Sequence, residues 1–323
     1  MNEGHVPVLL KEVIEYLNPQ SNQNFIDLTL GGGGHAAAIL EKTGPKGLLI
    51  GVELDKKTLE IAKNKLAKYT DRVILISDNF KNINKIKNEQ FSNLAIHSVL
   101  LDLGLSSYSL SDDNRGFSFQ TDGQLDMRFD PSSGGITAAE ILNTYSFGKL
   151  SRIFREYGED KFYKMIAAKV IQCRAIQKFT QTKQLVSAVL QVYKSKLKSN
   201  KEIPYLRGGI HPATKIFQAL RLAVNEELEN LKAVLPQIKD LIVPGGRIAV
   251  ISFHSLEDRI VKQFFRKESR DCICLVEMPI CQCHHKKSLK ILTKKPVIPE
   301  RQEVSDNLRS RSAKMRVAEK LFN

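Results

Sequence analysis

Residues 25–40 read FIDLTLGGGGHAAAIL: a short apolar run, four consecutive glycines, a histidine and then an alanine-rich run. The apolar run has the length and composition of a buried strand, and AAAIL is strongly helix-forming. Glycines between the two let the backbone turn tightly and approach a ligand at the helix N-terminus, where unpaired N–H groups point outward. This order restricts the chain to few folds: it is the opening unit of a parallel α/β sheet that carries a nucleotide. Gly31, Gly33 and Ala36 satisfy even the G-x-G-x-x-A dinucleotide fingerprint.

The same rhythm continues downstream. LLIGVEL (48–54) leads into DKKTLEIAKNKLAKY, which has helical periodicity, and Asp55 stands at its N-cap position. RVILISD (72–78) and IHSVLLDLG (96–104) are two further buried strands by pattern. Strands separated by helices of this length predict a right-handed, parallel α/β sheet. After Leu105 the rhythm stops. Residues 106–135 are rich in Gly and Asp, with Phe117, Phe119, Phe129 and Met127 embedded, and read as a long ordered loop. Four basic helical patterns follow from about residue 136 to 199. The strand–helix alternation then returns with HPATKIFQALRLAVNEELENL and PGGRIAVISFHS, and a helix is expected from Leu256. An all-helical insert within an α/β domain accounts for this order.

Three ligands compete for the glycine loop. A triphosphate of the Walker type is excluded, because no Lys-Ser or Lys-Thr follows the glycines. Asp27 precedes Gly31 by four residues, at the end of the strand. A pyrophosphate there would meet an opposing carboxylate, whereas the sulfonium of S-adenosylmethionine is favoured by one. Glu53, at the end of the next strand, is placed to accept hydrogen bonds from ribose hydroxyls. Phe80, after the third strand, is a candidate to stack on adenine, with Asp78 or Asn79 near its amine. Asp102 ends the fourth strand in LLDLGLSS, at the edge where such folds hold the substrate. There it can bind cofactor or orient an exocyclic amine, a poor nucleophile until hydrogen bonds to its N–H groups help the nitrogen rehybridise. His254, in ISFHSLEDR, is a second and weaker catalytic candidate. His211, before Pro212, reads as a helix-entry residue. Arg115 and Arg128 can pair with RNA phosphate or with Asp126 and Asp130.

The net charge is +14, and residues 286–323 hold eleven Lys and Arg against four Asp and Glu. That distribution points to a polyanionic partner such as RNA. No stretch approaches the roughly 18 apolar residues that span a bilayer. The opening MNEGHVPVLLKEVIEYL lacks the order of a secretory signal. The expectation is therefore a cytoplasmic protein, or one of the equivalent compartment of an organelle. Four of the five cysteines cluster in DCICLVEMPICQCHH, as Cys272, Cys274, Cys281 and Cys283. A cytosolic setting disfavours disulfides, so these four thiols, with His284 and His285 beside them, are a zinc candidate, the alternative being a hairpin with incidental thiols. Cys173, alone in a helical pattern, reads as core.

Taken together, HVPVLLKEV, DLTLGGGGH, LLDLGLSS, RGFSF, DGQLDMRFD, YGED, HPATKIFQALRLAVNEEL, PGGRIAVISFHSLEDRIVK and SRSAKMRVAEK resemble, in order and nearly end to end, the RsmH (MraW) family of ribosomal RNA methyltransferases. The resemblance implies a class I S-adenosylmethionine-dependent methyltransferase fold, Rossmann-like α/β, with an inserted all-helical substrate-recognition domain. The expected division is a methyltransferase part over 1–135, a helical RNA-recognition insert over 136–205, and a second methyltransferase part over 206–323. It implies methyl transfer to N4 of a cytosine in the decoding region of 16S rRNA, within the small ribosomal subunit, and no membrane partner. Family cofactor positions carry over to Gly33, Gly34, His35, Glu53 (usually Asp in the family), Phe80 and Asp102. The family often has Gln where this chain has Ser109. The usual Asn-Pro-Arg near the C-terminus becomes Asn307, Leu308, Arg309, and the cysteine cluster is absent from many members. The alternatives are a DNA amino-methyltransferase, disfavoured because DLGLSS replaces the Pro-Pro-aromatic turn expected there, and a nicotinamide-dependent oxidoreductase.

Overall fold

The structure is a computed structural model that describes residues 7–105, 110, 112–196, 211–274 and 280–322. The chain divides into two compact units, Met1–Ser106 with Leu228–Asn323, and Ser107–Glu227.

The first unit is built on a seven-stranded sheet of order β3-β2-β1-β4-β5-β7-β6. Its strands are β1 (Phe25–Asp27), β2 (Leu49–Glu53), β3 (Val73–Ser77), β4 (Ile96–Asp102), β5 (Ile242–Ser252), β6 (Leu289–Ile291) and β7 (Lys314–Lys320). β1 to β5 are parallel, and β7 runs antiparallel to both β5 and β6. Helices α2 (Gly34–Lys42) and α3 (Lys56–Lys65) fall where the sequence rhythm puts them, with α1 (Leu10–Leu17) before and α4 (Ile83–Gln90) after. Alternate strand residues feed two cores. Ile26, Val52, Val99 and Leu101 pack with Ile83 and Ile86 of α4. Phe25, Leu49 and Leu100 pack with Val13, Ile39, Leu40 and Ala62 of α1 to α3. Burial on both faces explains why these strands read as continuous apolar runs.

The second unit is helical: α5 (Ala138–Thr144), α6 (Phe147–Glu156), α7 (Tyr163–Ile176), α8 (Thr182–Lys196) and α9 (Ala213–Asn225). The helical unit extends beyond residues 136–205 on both sides, through contacts distant in sequence. Phe119 packs on His211 and Phe217, with centroids 4.9 and 5.0 Å away. Asn225 of α9 accepts from Phe129 N–H at 2.8 Å and donates to the Met127 carbonyl at 2.7 Å. The aromatic loop and α9 are thus folded on each other. Within that loop Arg128 makes a two-point ion pair with Asp126, and buried Arg115 donates to the Arg128 carbonyl. Both arginines serve the loop's own structure. His211 Nδ1 accepts from Ala213 N–H at the entry to α9, as its place before Pro212 suggests. Cys173 is half-buried rather than core.

The chain re-enters the first unit through α10 (Glu227–Leu241), β5, α11 (Ser255–Glu268) and α12 (Arg301–Asp306). α10 and α11 cover the α4 face of the sheet. The departure at Leu308 leaves a turn intact, because the Asn307 side chain accepts from Arg309 N–H at 3.2 Å. No helix among the described residues is long and apolar enough to cross a membrane.

Candidate active site at the carboxyl edge of the sheet

The strand order reverses between β1 and β4, the place where open α/β sheets hold ligands. Register then decides which side chains meet there. Asp27 pairs with Gly51 on β2 and with Leu100 on β4. Glu53 and Asp102 each lie two residues further along, so all three carboxylates leave the same face of the sheet. β1 ends at Asp27, but Leu28 N–H still donates to the Leu100 carbonyl and Leu30 N–H to the Val52 carbonyl. The glycine loop is thereby hung between β2 and β4.

Within the loop Gly31 (φ +52°) and Gly33 (φ +76°) adopt left-handed conformations that disfavour side chains. Gly34 is required for a different reason. A Cβ there would lie 2.3 Å from Pro7 Cγ, so the segment before α1 folds over the helix entry. Glu303 of α12 anchors this segment by accepting from Leu9 N–H at 2.8 Å. His35 is buried, and its Nε2 donates to the Val8 carbonyl at 2.9 Å. A carbonyl accepts only, so Nε2 holds the proton and Nδ1 faces Asp102 Oδ2 at 3.7 Å.

Glu53 accepts from Gly31 N–H and Asp55 N–H, each at 2.9 Å, tying the glycine loop to the end of β2. Asp55 caps α3 by accepting from Lys57 N–H at 3.0 Å, as its position in the sequence predicts. Asp27 is closed off from solvent, and its Oδ1 accepts from Thr29 N–H at 3.2 Å. Burial pushes its pKa up to about 7, with the Glu53 charge adding to the rise. Burial likewise raises Glu53. Asp102 is raised well above the usual carboxylate range by burial, then by repulsion from Asp27 and Glu257. Its backbone N–H donates to Thr29 Oγ1, while its own Oδ1 is buried without a hydrogen-bond partner.

Four neighbouring acids, coupled through their charges, suit a cation and oppose a pyrophosphate. Leu103 N–H donates to the Ile251 carbonyl, holding the turn after Asp102 against β5. At Gly104 (φ +106°), a Cβ would come within 3.3 Å of Phe253.

His254 caps α11. Its Nδ1 accepts from Glu257 N–H at 3.4 Å, and Glu257 Oε2 accepts from Phe253 N–H at 2.8 Å and His254 N–H at 3.3 Å. Nε2 lies 3.1 Å from Glu257 Oε1 but outside hydrogen-bond geometry. Glu257 and Thr29 are the two residues that sequence reasoning passed over. The capping-box spacing His254-x-x-Glu257 was the available signal for the first. For the second it was a hydroxyl two residues after the strand-end acid.

Phe80 opens a short 3₁₀ turn after β3 and packs at the edge of the core. Asp78 Oδ1 accepts from Asn79 N–H and Asn82 Nδ2, and Asn79 Oδ1 caps Lys81 N–H. Those oxygens maintain the turn beneath Phe80. Ser109 lies outside the described residues.

Residues 2–321 match the MraW methylase family. The chain is 44% identical over 321 residues to a protein of Heliobacterium mobile named ribosomal RNA small subunit methyltransferase H, covering 99% of this chain and all of the relative. A protein of the same name from Syntrophotalea carbinolica is 45% identical over 319 residues, covering 98% of each chain. With a parallel sheet closed by an antiparallel β7, a glycine loop at its switch point and a family match along nearly its whole length, the chain belongs to the MraW methylase family.

Proposed function

We propose that this chain transfers the methyl group of S-adenosylmethionine to the exocyclic N4 of a cytosine in the decoding region of 16S rRNA. Methylation of small-subunit ribosomal RNA is the activity named for full-length relatives at this identity, and S-adenosylmethionine is the methyl donor of the family. The observation that carries the N4 reading is Asp102: a buried carboxylate oxygen without a partner, at the switch point, among three further acids. An amine of cytosine offers two N–H donors and a delocalised lone pair. Asp102 Oδ1 takes one N–H and turns the nitrogen toward the methyl carbon, and the sulfonium offsets the repulsion among the acids as it binds. Gly31, Gly33 and Gly34 let the loop backbone approach the methionine and ribose, Glu53 accepts from the ribose, and Phe80 stacks on adenine. Ser109 is a further candidate contact with the cofactor. Exposed cations of the helical unit, among them Lys149, Arg152, Lys161, Lys164, Lys178 and Lys183, supply charge for the phosphate backbone. A cytosine stacked in the RNA must be flipped out before transfer.

The test is labelled methyl transfer to small subunits from a strain lacking the activity, with the product nucleoside identified by mass spectrometry. N4-methylcytidine is expected. Recovery of 5-methylcytidine or a methyladenosine overturns the N4 assignment, and transfer to DNA alone favours the amino-methyltransferase alternative.

Glu53→Gln keeps the shape of the side chain but has one acceptor oxygen in place of two. Gly31 N–H or Asp55 N–H then loses its partner and the ribose loses an anionic acceptor. The Kd for S-adenosylmethionine should rise about tenfold to a hundredfold, with a smaller change in kcat, because charge-assisted hydrogen bonds contribute roughly 1.5–3 kcal/mol. Equilibrium dialysis reads the first quantity, and an unchanged Kd removes Glu53 from the cofactor site.

The pH dependence follows from Asp27. Its folded, ligand-free pKa of about 7 lies above the ordinary 3.8, so folded protein holds a proton that unfolded chain has released between those values. Stability of the ligand-free protein therefore falls as pH rises through that window. A bound sulfonium favours the anion, so cofactor binding expels the proton. Affinity should climb with pH by up to about tenfold per unit below 7 for this one proton and flatten above it. Calorimetry in buffers of different protonation heat should detect proton release at about pH 6 and little at about pH 8. Affinity independent of pH across that range removes the electrostatic role of Asp27.

A further inference from the structure

Residues 269–288 join α11 to β6, and no described residue among them is buried. The segment has no helix or strand among its described residues, and the large apolar side chains described there, Ile273 and Ile280, face solvent. Its ends are nonetheless held together: Ser288 N–H donates to the Glu268 carbonyl at 2.8 Å, and His285 Nε2 donates to the Lys267 carbonyl at 3.1 Å. A loop of this length without a core of its own needs another source of order.

What converges inside it is sulfur. The Sγ atoms of Cys272, Cys274, Cys281 and Cys283 all lie within 4.8 Å of one another. Cys272 and Cys281 are 3.5 Å apart, Cys281 and Cys283 3.6 Å, and Cys283 and Cys272 3.8 Å. None of these is a disulfide, whose sulfurs sit about 2.05 Å apart. Zn–S bonds of about 2.3 Å at tetrahedral angles place sulfurs about 3.8 Å apart, close to the spacings found here. Backbone N–H groups also point at the sulfurs: Ile273 N–H to Cys283, Cys274 N–H to Cys272 and Gln282 N–H to Cys274, each at 3.4 Å. Such donors offset the negative charge of thiolates around a divalent ion and fix their direction. The two Cys-x-Cys pairs face each other across the loop, so one ion would clip both arms.

We propose that Cys272, Cys274, Cys281 and Cys283 form a structural tetrathiolate zinc site that orders the segment between α11 and β6. Four protein ligands leave no open position, so the ion has no part in methyl transfer and orders a segment with no buried side chain among its described residues. Zinc is favoured over harder cations because every ligand is a thiolate and no carboxylate belongs to the cluster.

The experiment uses the full chain, expressed with added zinc and purified without chelator. Elemental analysis should find one zinc per chain, and a thiol reagent should modify only Cys173 until the protein is treated with a chelator. Cobalt(II) added to chelated protein should give the visible absorption of a tetrahedral thiolate complex. Loss of even an outer hydrogen-bond partner of a metal ligand costs about tenfold to a hundredfold in affinity, so Cys272→Ser should weaken metal retention at least as much. Cys173→Ser should leave it unchanged. Trypsin sensitivity within 269–288 should rise when the metal is stripped, while the cofactor still shifts the melting temperature. Metal-free protein with all four thiols freely reactive overturns the proposal. So do two disulfides found by mass spectrometry without reductant, or iron in place of zinc. The metal content of the unmodified chain decides the question even if the Cys272 variant fails to fold.

Discussion

Asp102→Ala is expected to abolish methyl transfer. The substitution removes the partnerless Oδ1 and the carboxylate proposed to face the sulfonium, while the glycine loop keeps its ties to Glu53. Removing one preorganised group that acts on a developing charge typically costs about 10²–10³ in kcat, and Asp102 combines charge with orientation. Single-turnover transfer should therefore fall to about a thousandth or less, at the far end of that range. Asp102→Asn should fall between the variant and the native protein, because its amide oxygen can still accept an N–H but has no charge. Equilibrium dialysis separates the two roles open to this residue. A Kd for S-adenosylmethionine that rises in step with the lost rate assigns Asp102 to the cofactor. A Kd within about threefold, with the rate gone, assigns it to the base, as expected for an interaction made only in the transition state. Full activity in the alanine variant removes it from both.

The second large effect concerns the fold. Arg316 on β7 and Asp258 in the first turn of α11 are both buried and form a two-point ion pair, with Nε to Oδ1 at 2.6 Å and an Nη2 to Oδ2 at 3.2 Å. Arg316 is paired in the sheet with Val250, so the bridge locks the antiparallel strand to the helix that follows β5. Arg316→Met leaves the Asp258 carboxylate buried without its partner, which costs about 3–5 kcal/mol. Chemical denaturation should show the loss. The double replacement Asp258→Leu with Arg316→Met should recover most of it, because two apolar groups require no desolvation of charge. A loss below about 1 kcal/mol in the single variant would mean that water reaches Asp258 after all.

Much of the sheet was legible from local pattern. β1, β2 and the later parts of β4 and β5 are buried on both faces, so these stretches read as apolar runs and stand out in the sequence. The four helices from α5 to α8 and the capping role of Asp55 are local features too; the helices lie within the span from about 136 to 199 expected for them, and Asp55 caps α3. β6 and β7 were not legible in the same way. β6 has only three residues, and β7 carries Lys314, Arg316, Glu319 and Lys320 beside its apolar side chains. Its charge is tolerated because Arg316 finds Asp258 across 58 residues of chain, a partner that no window of sequence contains. The extent of the helical unit was hidden for the same reason. Phe119 meets Phe217, and Met127 meets Asn225, through contacts between segments far apart in the chain.

The sequence by itself determined the kind of site: a glycine loop between strand and helix, acids at the ends of three strands, and a basic chain around them. It also singled out four cysteines in two closely spaced pairs. The tertiary structure alone decided what those groups do to one another. The register of three parallel strands turns Asp27, Glu53 and Asp102 to one face, and Glu257 joins them from the helix after β5. The resulting repulsion and burial lift Asp27 to about 7 and leave Asp102 with an oxygen unsatisfied. In the sequence the glycines could pass for a phosphate cradle. The acids assembled around them favour a cation over a pyrophosphate, because like charges confined in a low-dielectric space are relieved by a positive neighbour.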